Sequence, residues 1–584
     1  MKISLVGAEL EENLGLRYMA SALERDGHEV DIVPFNSEED VDRAVRQIIG
    51  FGADIAGLSM VFTGRAREFC RLAQSLRDAG YRGHTIAGGH FASFNAERLL
   101  QDFPAFDSIG LGEGEELICA LARNRGDVAG IAGICYRAAD GSIVTNPSKG
   151  NPEDLDALPF PKRTTFHEYY GKPIASILSS RGCWRNCAFC SINAWYERGG
   201  GKKFRIRGVE SIVAEMKELY FEHGVRIFNF QDDNFFLPNP EKACRRFEAL
   251  RDGLRREGID DIAIAVKARP DSINVDSIRV LDELGLFRVF LGVENASQRA
   301  LEHLNRKSHI DEILNALRIL NDFDVHIAFN ILMFEPDTVR DDILINLRFI
   351  ERHIDNPFNF CRAEAYAGTG LESKLVPEGR LLGNYFGFDY RLSDPYCEAF
   401  HQIANYAFFD RNFSDYGLHY FNMQVDFCFQ LLRRFYPRSL TQALRASVRN
   451  FIKQTNLDTY ECLCAIYDFV DSCDPHDQVA IRAFARQLRD RVDQGSAALY
   501  GEGQAVLDTL DDAFHGAGRE TPAAVPPERL PFRTSRPAPY RGLATMFDTE
   551  SATTGEPSWF GVLATPIPYS EFKKQLEEVH YGNR

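Results

Sequence analysis

Along the first 145 residues, short apolar runs alternate with stretches in which apolar positions recur every three or four residues. The apolar runs predict five buried strands, at KISLV, EVDIV, DIAGLS, HTIAGG and DSIGLG. The amphipathic stretches predict five helices, which start near residues 12, 38, 65, 95 and 115. Because alternating strands and helices form parallel sheets with helices on both faces, we predict a doubly wound, Rossmann-like α/β domain over residues 1–145.

A second series of strands and helices follows a segment with four prolines, residues 146–165, which we interpret as a linker. Its six predicted strands are ASILS, VRIFNFQ, IAIAVK, RVFLGVE, VHIAFNIL and NFCRAEAY. Six parallel strands joined by right-handed crossovers form a partial, TIM-like (β/α)6 barrel, and the loops after the strands should carry its site. We assign residues 166–375 to this barrel.

The pattern becomes helical and strongly aromatic over residues 376–514, where we predict a helical C-terminal domain. Packing in a core accounts for most of these aromatic residues, and a lid over the barrel mouth is the functional alternative. Residues 515–584 include TPAAVPPERLPFRTSRPAP, a composition typical of irregular chain. We therefore expect an arm there that is disordered or wrapped on the surface.

Charge and hydropathy narrow the class of partner. The 584 residues carry a formal net charge of −17, whereas nucleic acid or an anionic membrane would favour clustered Lys and Arg. No uninterrupted apolar run of about 18 residues occurs, and the N-terminus lacks the pattern of a secretory signal. We expect a cytoplasmic protein that binds a small molecule rather than nucleic acid or a membrane. Its 13 cysteines then imply reduced thiols.

One short loop, in SSRGCWRNCAFCSINAW, carries three cysteines: Cys183, Cys187 and Cys190. Disulfides use cysteines in pairs, and a structural zinc site needs a fourth ligand, for which no histidine is nearby. Three thiolates can instead hold three irons of a 4Fe-4S cluster and leave the fourth iron open. We favour the cluster over the zinc site.

The Cys-x3-Cys-x2-Cys spacing, with Phe189 before the last cysteine and a place after the first barrel strand, resembles the radical S-adenosylmethionine (SAM) superfamily. The segments ENLGLRYMASALERDGHEVDIV, AGGHFASFNAERLL and DSIGLGEGE resemble the cobalamin-binding domain fused to one large class of these enzymes. The resemblance implies a 4Fe-4S cluster, SAM and cobalamin, with Phe189 in the cofactor site and an electron donor such as flavodoxin or ferredoxin. One electron then cleaves SAM to a 5′-deoxyadenosyl radical.

The same resemblance implies roles for polar residues that end the barrel strands. Asp232 and Asp233 follow strand two, where the family binds the SAM amino group, and acidic side chains suit an ammonium. Glu294, in GVENAS after strand four, is expected to bind the ribose hydroxyls. Arg269, after strand three, is expected to meet the SAM carboxylate, with exposure to solvent as the alternative. Alternate positions of strand six should face the substrate as catalytic candidates: Arg362, Glu364 and Tyr366.

Small and hydroxylated residues end the strands of the first domain, where they would leave room for a bulky ligand, although tight turns alone would also use glycine. We expect the cobalamin site to include Ser59, Phe62, Thr63, Arg65, Gly88, Gly89, His90, Gly112, Glu113 and Gly114. Proteins that ligate cobalt through histidine use an Asp-x-His-x-x-Gly segment, which residues 1–145 lack. The resemblance therefore implies base-off cobalamin without a histidine ligand, its lower face covered by residues 59–65.

These features favour an enzyme that methylates a carbon centre of a small natural-product intermediate through methylcobalamin and the 5′-deoxyadenosyl radical. The main alternative keeps both cofactors but uses the radical for cyclisation, rearrangement or hydration. A methylthiotransferase is disfavoured, because Cys70, Cys119 and Cys135 are better explained as buried thiols than as ligands of a second cluster. A non-enzymatic cobalamin sensor would leave the cysteine loop without a role. The C-terminal cysteines also lack close spacing, so we expect one cluster only.

Overall fold

Two seven-stranded sheets and a C-terminal helical region organise the protein in a computed structural model that describes residues 1–9, 12–413 and 417–517. The predicted α/β fold class, with a partial barrel after the first sheet, is confirmed. The predicted C-terminal arm lies outside the described residues from position 518 onward. Within the described ranges, no helix is long and apolar enough to span a bilayer.

The first sheet is built from strands β1 (Lys2–Gly7), β2 (Glu29–Pro34), β3 (Ile55–Ser59), β4 (His84–Gly88), β5 (Ser108–Gly110), β6 (Ile134–Arg137) and β7 (Ile143–Thr145). Its helices are α1 (Leu14–Arg25), α2 (Val41–Phe51), α3 (Ala66–Asp78), α4 (His90–Phe94), α5 (Ala96–Asp102) and α6 (Glu115–Arg123). The order is β2-β1-β3-β4-β5-β6-β7. Strands β1 to β5 are parallel as predicted, and β6 and β7 add an antiparallel hairpin beside β5.

Local sequence explains where the helices of this sheet begin and end. The side chain of Asn13 caps α1 by accepting a hydrogen bond from N of Leu16 (3.2 Å). Gly52 ends α2 in the left-handed conformation, with a φ of 73°. The strand order reverses between β1 and β3, and ligands of such sheets bind at the carboxyl ends of strands near this reversal.

The second sheet is the partial barrel, with β8 (His167–Tyr169), β9 (Lys172–Ile177), β12 (Ile227–Phe230), β13 (Ala263–Ala268), β14 (Leu286–Leu291), β15 (His326–Phe334) and β16 (Phe358–Arg362). A separate antiparallel pair consists of β10 (Ser180–Arg181) and β11 (Arg205–Ile206). The helices of this region are α7 (Ile192–Gly199), α8 (Val209–His223), α9 (Pro240–Arg256), α10 (Val275–Glu283), α11 (Gln298–His303), α12 (Ile310–Asp322), α13 (Arg340–Arg352) and α14 (Gly370–Leu375).

Six barrel strands are parallel in the order β16-β15-β14-β13-β12-β9, and β8 adds an antiparallel edge that was not predicted. The register pairs Phe230 of β12 with Ile177 of β9, so the residues that follow these strands lie at one level. Apolar side chains on the outer face, among them Phe228, pack with Phe247 and other residues of the surrounding helices in the largest core.

The C-terminal region contains a hairpin, β17 (Leu381–Asn384) and β18 (Gly387–Tyr390), and the helices α15 (Pro395–Phe413), α16 (Leu418–Phe435), α17 (Gln442–Ser472) and α18 (Gln478–Ala517). Nearly all of its described aromatic side chains are buried or half-buried, which supports the core interpretation. Phe421 and Phe429 of α16 pack with Ala263, Ala265 and Phe287 of the barrel strands. Helix α16 therefore closes the barrel from the inner side of its sheet.

Candidate functional site

The loop between β10 and α7 carries the three predicted ligands: Cys183, Cys187 and Cys190. Cys187 is buried, and the other two thiols are partly exposed. The backbone of Ala188 anchors the loop, because its N donates to O of Leu304 (2.8 Å) and its O accepts from N of Leu371 (2.8 Å). Phe189 packs against the barrel core. The loop thus presents its thiols from a backbone that two other segments hold in place.

A glycine is required where this loop begins. Gly182 has a φ of 86°, and a Cβ there would come within 1.7 Å of the carbonyl oxygen of Lys203. The N–H of Gly182 donates to Oδ2 of Asp233 (3.0 Å), which links the cysteine loop to the end of β12.

Two buried arginines donate to the sulfur of Cys187. Nη1 of Arg306 lies 3.4 Å from Sγ, and Nη1 of Arg269 lies 3.6 Å from it. Other donors of Arg269 are engaged by Asp271 and Ser308. Arg269 is therefore held against the cysteine loop, and its expected contact with the SAM carboxylate stays a prediction. Sequence reasoning did not single out Arg306, since no local motif marks it.

The environment of the other thiols suits metal ligands. Burial raises the pKa of Cys183, and it raises the pKa of Cys190 to about 12. Neighbouring thiols contribute to both increases, which places the three sulfur atoms in one electrostatic environment. Such thiols ionise readily only when a cation shares the site, so the donor set fits a bound metal cluster.

The two aspartates after β12 have different surroundings. Asp232 is fully buried and accepts hydrogen bonds from Oγ of Ser179 (2.7 Å) and Oγ of Ser180 (2.5 Å). Asp233 instead faces open space within a cavity. Burial raises the pKa of Asp233 to about 6, against the lowering effect of nearby Lys267. Of the predicted pair, only Asp233 is placed to meet a ligand, and Asp232 fixes the chain that leads to the cysteine loop.

Glu294 adopts a left-handed backbone with a φ of 63°, which is uncommon for a residue other than glycine. Hydrogen bonds between the Glu294 and Asn330 backbones (3.2 Å) and between the Leu332 and Glu294 backbones (2.5 Å) hold this conformation. Burial raises the pKa of Glu294, while nearby Arg306, with Nη2 at 3.5 Å from Oε1, favours the charged form. The fold thus maintains a strained backbone that places a carboxylate beside the cysteine loop.

A cavity of about 320 Å³ lies between the first sheet and the barrel, and we call it the interdomain cavity. Both domains contribute to its lining. The first sheet provides residues at its carboxyl edge: Ser59, Gly88, Gly89, His90, Gly112, Glu113 and Gly114. The barrel provides residues that precede the cysteine loop or follow β9 and β12: Leu178, Ser180, Arg181, Gln231 and Asp233. The structure thus brings most of the predicted cobalamin residues together with Asp233.

The glycines of this edge serve different purposes. A Cβ on Gly88 would meet no atom closer than 4.0 Å, so this position leaves space for a ligand. A Cβ on Gly112 would approach Cα of Gly199 to 3.0 Å, and one on Gly114 would approach Sδ of Met19 to 2.6 Å. Gly89, with a φ of 95°, packs against the carbonyl of residue 60. The edge at Gly88 leaves room for a ligand, whereas Gly112 and Gly114 allow the protein itself to pack closely.

Glu113 is part of an ion-pair cluster between the domains. Its carboxylate pairs with Arg205 (2.6 Å) and Arg181 (3.2 Å), and Arg181 also pairs with Glu115 (2.7 Å). Although burial alone would raise the pKa of Glu113, the two arginines hold it below its usual range. This carboxylate therefore joins the domains, and its expected role in cobalamin binding stays a prediction.

His90 also bridges the domains. Its ring stacks on Trp195 of α7, with centroids 4.4 Å apart, and Nε2 has no hydrogen-bond partner among the described residues. Burial lowers the pKa of His90 to about 4, so the imidazole is neutral at physiological pH. His90 is thus a neutral group with a free ring nitrogen on the wall of the interdomain cavity.

The loop over residues 59–65 reaches the cavity only in part. Ser59 and Val61 line it, whereas Phe62 is 64% exposed to solvent. Arg65 pairs with Glu68 (2.7 Å) rather than facing the cavity, and Thr63 lies in the same short helical turn. Fewer residues of this loop line the cavity than the sequence predicted for the segment that would cover the lower face of cobalamin.

The three residues expected on one face of strand six alternate with buried residues, and their catalytic role stays a prediction. Strand β16 ends at Arg362, and Glu364 and Tyr366 follow with less burial than residues 363 and 365 between them. Arg362 pairs with Glu364 (3.1 Å) and with Asp389. Burial raises the pKa of Tyr366 to about 12, so its hydroxyl stays protonated. No local signal identified Asp389 as a partner.

Two family models match the chain. Residues 5–122 match the B12 binding domain, and residues 177–347 match the Radical SAM superfamily. Among solved structures, the cobalamin-dependent S-adenosylmethionine radical enzyme OxsB with aqua-cobalamin bound has a TM-score of 0.65 to this chain. The match covers 89% of this chain and 84% of that chain at 15% identity, which shows a similar fold.

The names of the curated relatives describe two kinds of reaction, methyl transfer and cyclisation. An uncharacterized methyltransferase of Pyrococcus horikoshii is 27% identical over 63% of this chain and 79% of its own length. The hopanoid C-3 methylase of Methylococcus capsulatus is 27% identical, over 56% of this chain and 62% of that protein. The anaerobic magnesium-protoporphyrin IX monomethyl ester cyclase of Synechocystis sp. is 28% identical, over 56% and 66%. The chain spans just under two thirds of the last two relatives.

Proposed function

Because this chain is a cobalamin-dependent radical SAM enzyme, with a B12-binding domain followed by a radical SAM domain, we propose that it methylates a carbon centre of a small natural-product intermediate. The observation that carries this proposal is the interdomain cavity, which Gly88 of the first sheet and Asp233 of the barrel line together. A carbon that is activated at one cofactor and modified at the other must lie between both. Relatives with methylase names support methyl transfer as the outcome.

The chain offers a ligand set for each cofactor. Three loop thiols, from Cys183, Cys187 and Cys190, would hold a 4Fe-4S cluster and leave one iron open to SAM. The glycine edge at Gly88 would carry base-off cobalamin without a histidine ligand. When bound, the cluster supplies the electron that cleaves SAM, and cobalamin carries the methyl group. We propose reduced flavodoxin or ferredoxin as the source of electrons.

The protein's own residues would bind and orient SAM. Asp233 provides a carboxylate for the amino group, and Glu294 provides one for the ribose hydroxyls. Arg306 orients Glu294 and stabilises the thiolate of Cys187 at the same time. Arg269, the second donor to Cys187, has the same effect on the thiolate.

The substrate would meet the face that follows β16. Arg362 and Glu364 form a pair there, and Tyr366 keeps its proton at neutral pH, so the set can donate and accept hydrogen bonds. We propose that these three side chains position the acceptor carbon.

A second candidate function keeps the same cofactors but ends in cyclisation, rearrangement or hydration. The cyclase among the relatives favours this alternative, because its identity to this chain is as high as that of the methylase.

Isotope labelling separates the two functions. Candidate acceptors from the chain's own gene neighbourhood are incubated anaerobically with the reconstituted protein and SAM that carries a deuterated methyl group. Methyl transfer predicts an intact labelled methyl on carbon, with one S-adenosylhomocysteine and one 5′-deoxyadenosine per product. A cyclised or rearranged product with 5′-deoxyadenosine and no added methyl rejects the methylase proposal.

A further inference from the structure

A second cavity, of about 460 Å³, occupies the barrel lumen, and we call it the lumen cavity. Side chains from β9, β12, β14, β15 and β16 form its walls, and α16 closes its side. Its volume is in the range of sites that bind small organic molecules. None of the residues assigned above to a cofactor or to the catalytic face lines it.

The lumen cavity lies below the interdomain cavity along the same strand faces. Ser176 lines the lumen cavity, and Leu178, two positions later, lines the interdomain cavity. Asn229 and Gln231 repeat this relationship at β12. Positions two apart in a strand share a face and are about 7 Å apart. A molecule in the lumen cavity therefore lies one layer of side chains from the proposed SAM site. Gln231, which accepts a hydrogen bond from Nζ of Lys267 (2.9 Å), stands in that layer.

Neutral carboxamides are the commonest polar side chains in the lining of the lumen cavity. Among the described residues, no hydrogen bond reaches the side chains of Asn229 and Asn330. Oε1 of Gln424 is buried in the same lining and accepts no hydrogen bond from a described residue. A carboxamide offers two N–H donors and one carbonyl acceptor, and a buried one without partners is costly. These three side chains favour a ligand that presents both N–H and C=O groups.

His419 adds an acceptor of defined type. Nδ1 of His419 lies 3.0 Å from the carbonyl oxygen of Phe358, and because a carbonyl can only accept, Nδ1 carries the proton. Burial lowers the pKa of His419 to about 3, so the ring is neutral. Its Nε2 is therefore an acceptor for a ligand N–H.

The remaining lining is largely apolar and contains two charged side chains, Glu12 and Arg288. The guanidinium of Arg288 lies over the ring of Phe427, 5.5 Å from its centroid, and is engaged by a further interaction. Phe290, Met423 and Phe427 contribute apolar surface that suits a planar ring. Oε2 of Glu12 accepts hydrogen bonds from Arg163 (2.7 Å), which balances its charge, and from the N–H of Ser176 (2.7 Å). Oε1 of Glu12 is buried and accepts no hydrogen bond from a described residue, so it can accept one from a ligand N–H. The lining therefore favours an uncharged ligand over a cation.

We propose that the lumen cavity binds a neutral, planar heterocyclic or aromatic amide, which directs the atom to be modified upward toward Gln231 and Asp233. That this ligand is the methyl acceptor rests on the proposed function. The binding chemistry itself rests on the lumen residues alone.

Nicotinamide is the probe, because it is planar, uncharged and carries a carboxamide. The full chain is reconstituted anaerobically with cluster and cobalamin, and saturating S-adenosylhomocysteine fills the SAM site. Saturation-transfer NMR then measures affinity, and soaked crystals locate the probe. We expect binding in the lumen that weakens at least fivefold in Asn229→Leu and Asn330→Leu. The matched variant Asn321→Leu, exposed on α12, should bind as the unmodified chain does. Iron content and thermal unfolding verify that each variant folds.

Two comparison ligands complete the test. Nicotinate carries a negative charge in place of the carboxamide, and toluene lacks polar groups. The proposal is overturned if nicotinamide does not bind, if it binds outside the lumen, if both leucine variants bind it normally, or if nicotinate or toluene binds as tightly. None of these measurements requires turnover. If nicotinamide binds as expected while no methylated product forms in the labelling experiment, the proposed function fails and the lumen site stands.

Discussion

The guanidinium of Arg306 donates a hydrogen bond to the sulfur of Cys187, although the two residues are 119 positions apart in sequence. The other end of the same guanidinium lies 3.5 Å from Oε1 of Glu294. One buried cation thus connects a proposed iron ligand with the proposed ribose-binding carboxylate. A change of charge at either group alters the electrostatic environment of the other.

Replacing Arg306 should make the cluster harder to reduce. In Arg306→Met the Cys187 sulfur loses one of its two cationic donors, so the reduced, more negative cluster is less stabilised. We expect the midpoint potential to fall by about 60 mV, which corresponds to about 1.4 kcal/mol for one electron. Redox titration monitored by electron paramagnetic resonance (EPR) measures the change. Arg318→Met, at an exposed ion pair on α12, is the control, and equal potentials in the two variants would contradict the prediction.

Each loop cysteine should be essential for cluster binding. The reconstituted protein should contain about four irons and four sulfides. Cys183→Ala, Cys187→Ala and Cys190→Ala should each lose 5′-deoxyadenosine formation, because two thiolates hold the cluster poorly. Metal analysis and chromatography of the products provide the measurements. Cys473→Ala, which alters a thiol of the C-terminal region, should behave as the unmodified protein does. Zinc in place of iron would refute the assignment.

SAM affinity should depend on pH through Asp233. Because burial raises the pKa of Asp233 to about 6, its carboxylate loses charge as the pH falls through 6 and no longer attracts the SAM ammonium. We expect binding at pH 5 to be about tenfold weaker than at pH 8, the factor given by one pH unit below the pKa. Equilibrium dialysis with labelled SAM over this range measures it.

The neighbouring aspartate provides the control for this pH effect. Asp233→Asn should bind SAM weakly at every pH. Asp232→Asn should keep the pH dependence but unfold at lower temperature, because the hydrogen bonds from Ser179 and Ser180 are weakened by about 1–3 kcal/mol in total. The same slope of affinity against pH in Asp233→Asn and in the unmodified protein would assign the titration to another group.

Cobalt ligation can be decided at His90. This histidine lines the interdomain cavity with a neutral ring whose Nε2 has no partner among the described residues. If cobalamin is bound base-off without a histidine ligand, the EPR spectrum of the cob(II)alamin form should show no nitrogen superhyperfine splitting. His90→Phe, which preserves stacking on Trp195, should leave that spectrum unchanged. A nitrogen triplet that disappears in His90→Phe would identify His90 as a cobalt ligand.

Features encoded within a short segment were predictable from the sequence. The cysteine loop was recognised from the spacing of its three cysteines, and the edge at Gly88 from its glycines. The alternation of predicted strands and helices showed that both segments follow a strand. The strand-six face at Tyr366 follows from the same two-residue periodicity.

Features that depend on distant contacts were not predictable. Whether Asp232 or Asp233 faces the cavity depends on hydrogen bonds from Ser179 and Ser180, about 50 positions earlier. The pairing of Glu113 with Arg205 spans 92 positions and both domains. The sequence shows the type and charge of each side chain. The hydrogen-bond or ion-pair partner of each side chain depends on how distant segments pack together.

The close approach of Gly112 to Gly199 limits how this architecture can be recombined. Backbone meets backbone there, and the pairing of Arg181 with Glu113 and Glu115 stands beside it. A B12-binding domain taken from a relative would have an interface that is complementary to the barrel of that relative and not to this one. Chimeras that exchange one domain should therefore lose the shared cavity, whereas exchange of both domains as one unit should preserve it.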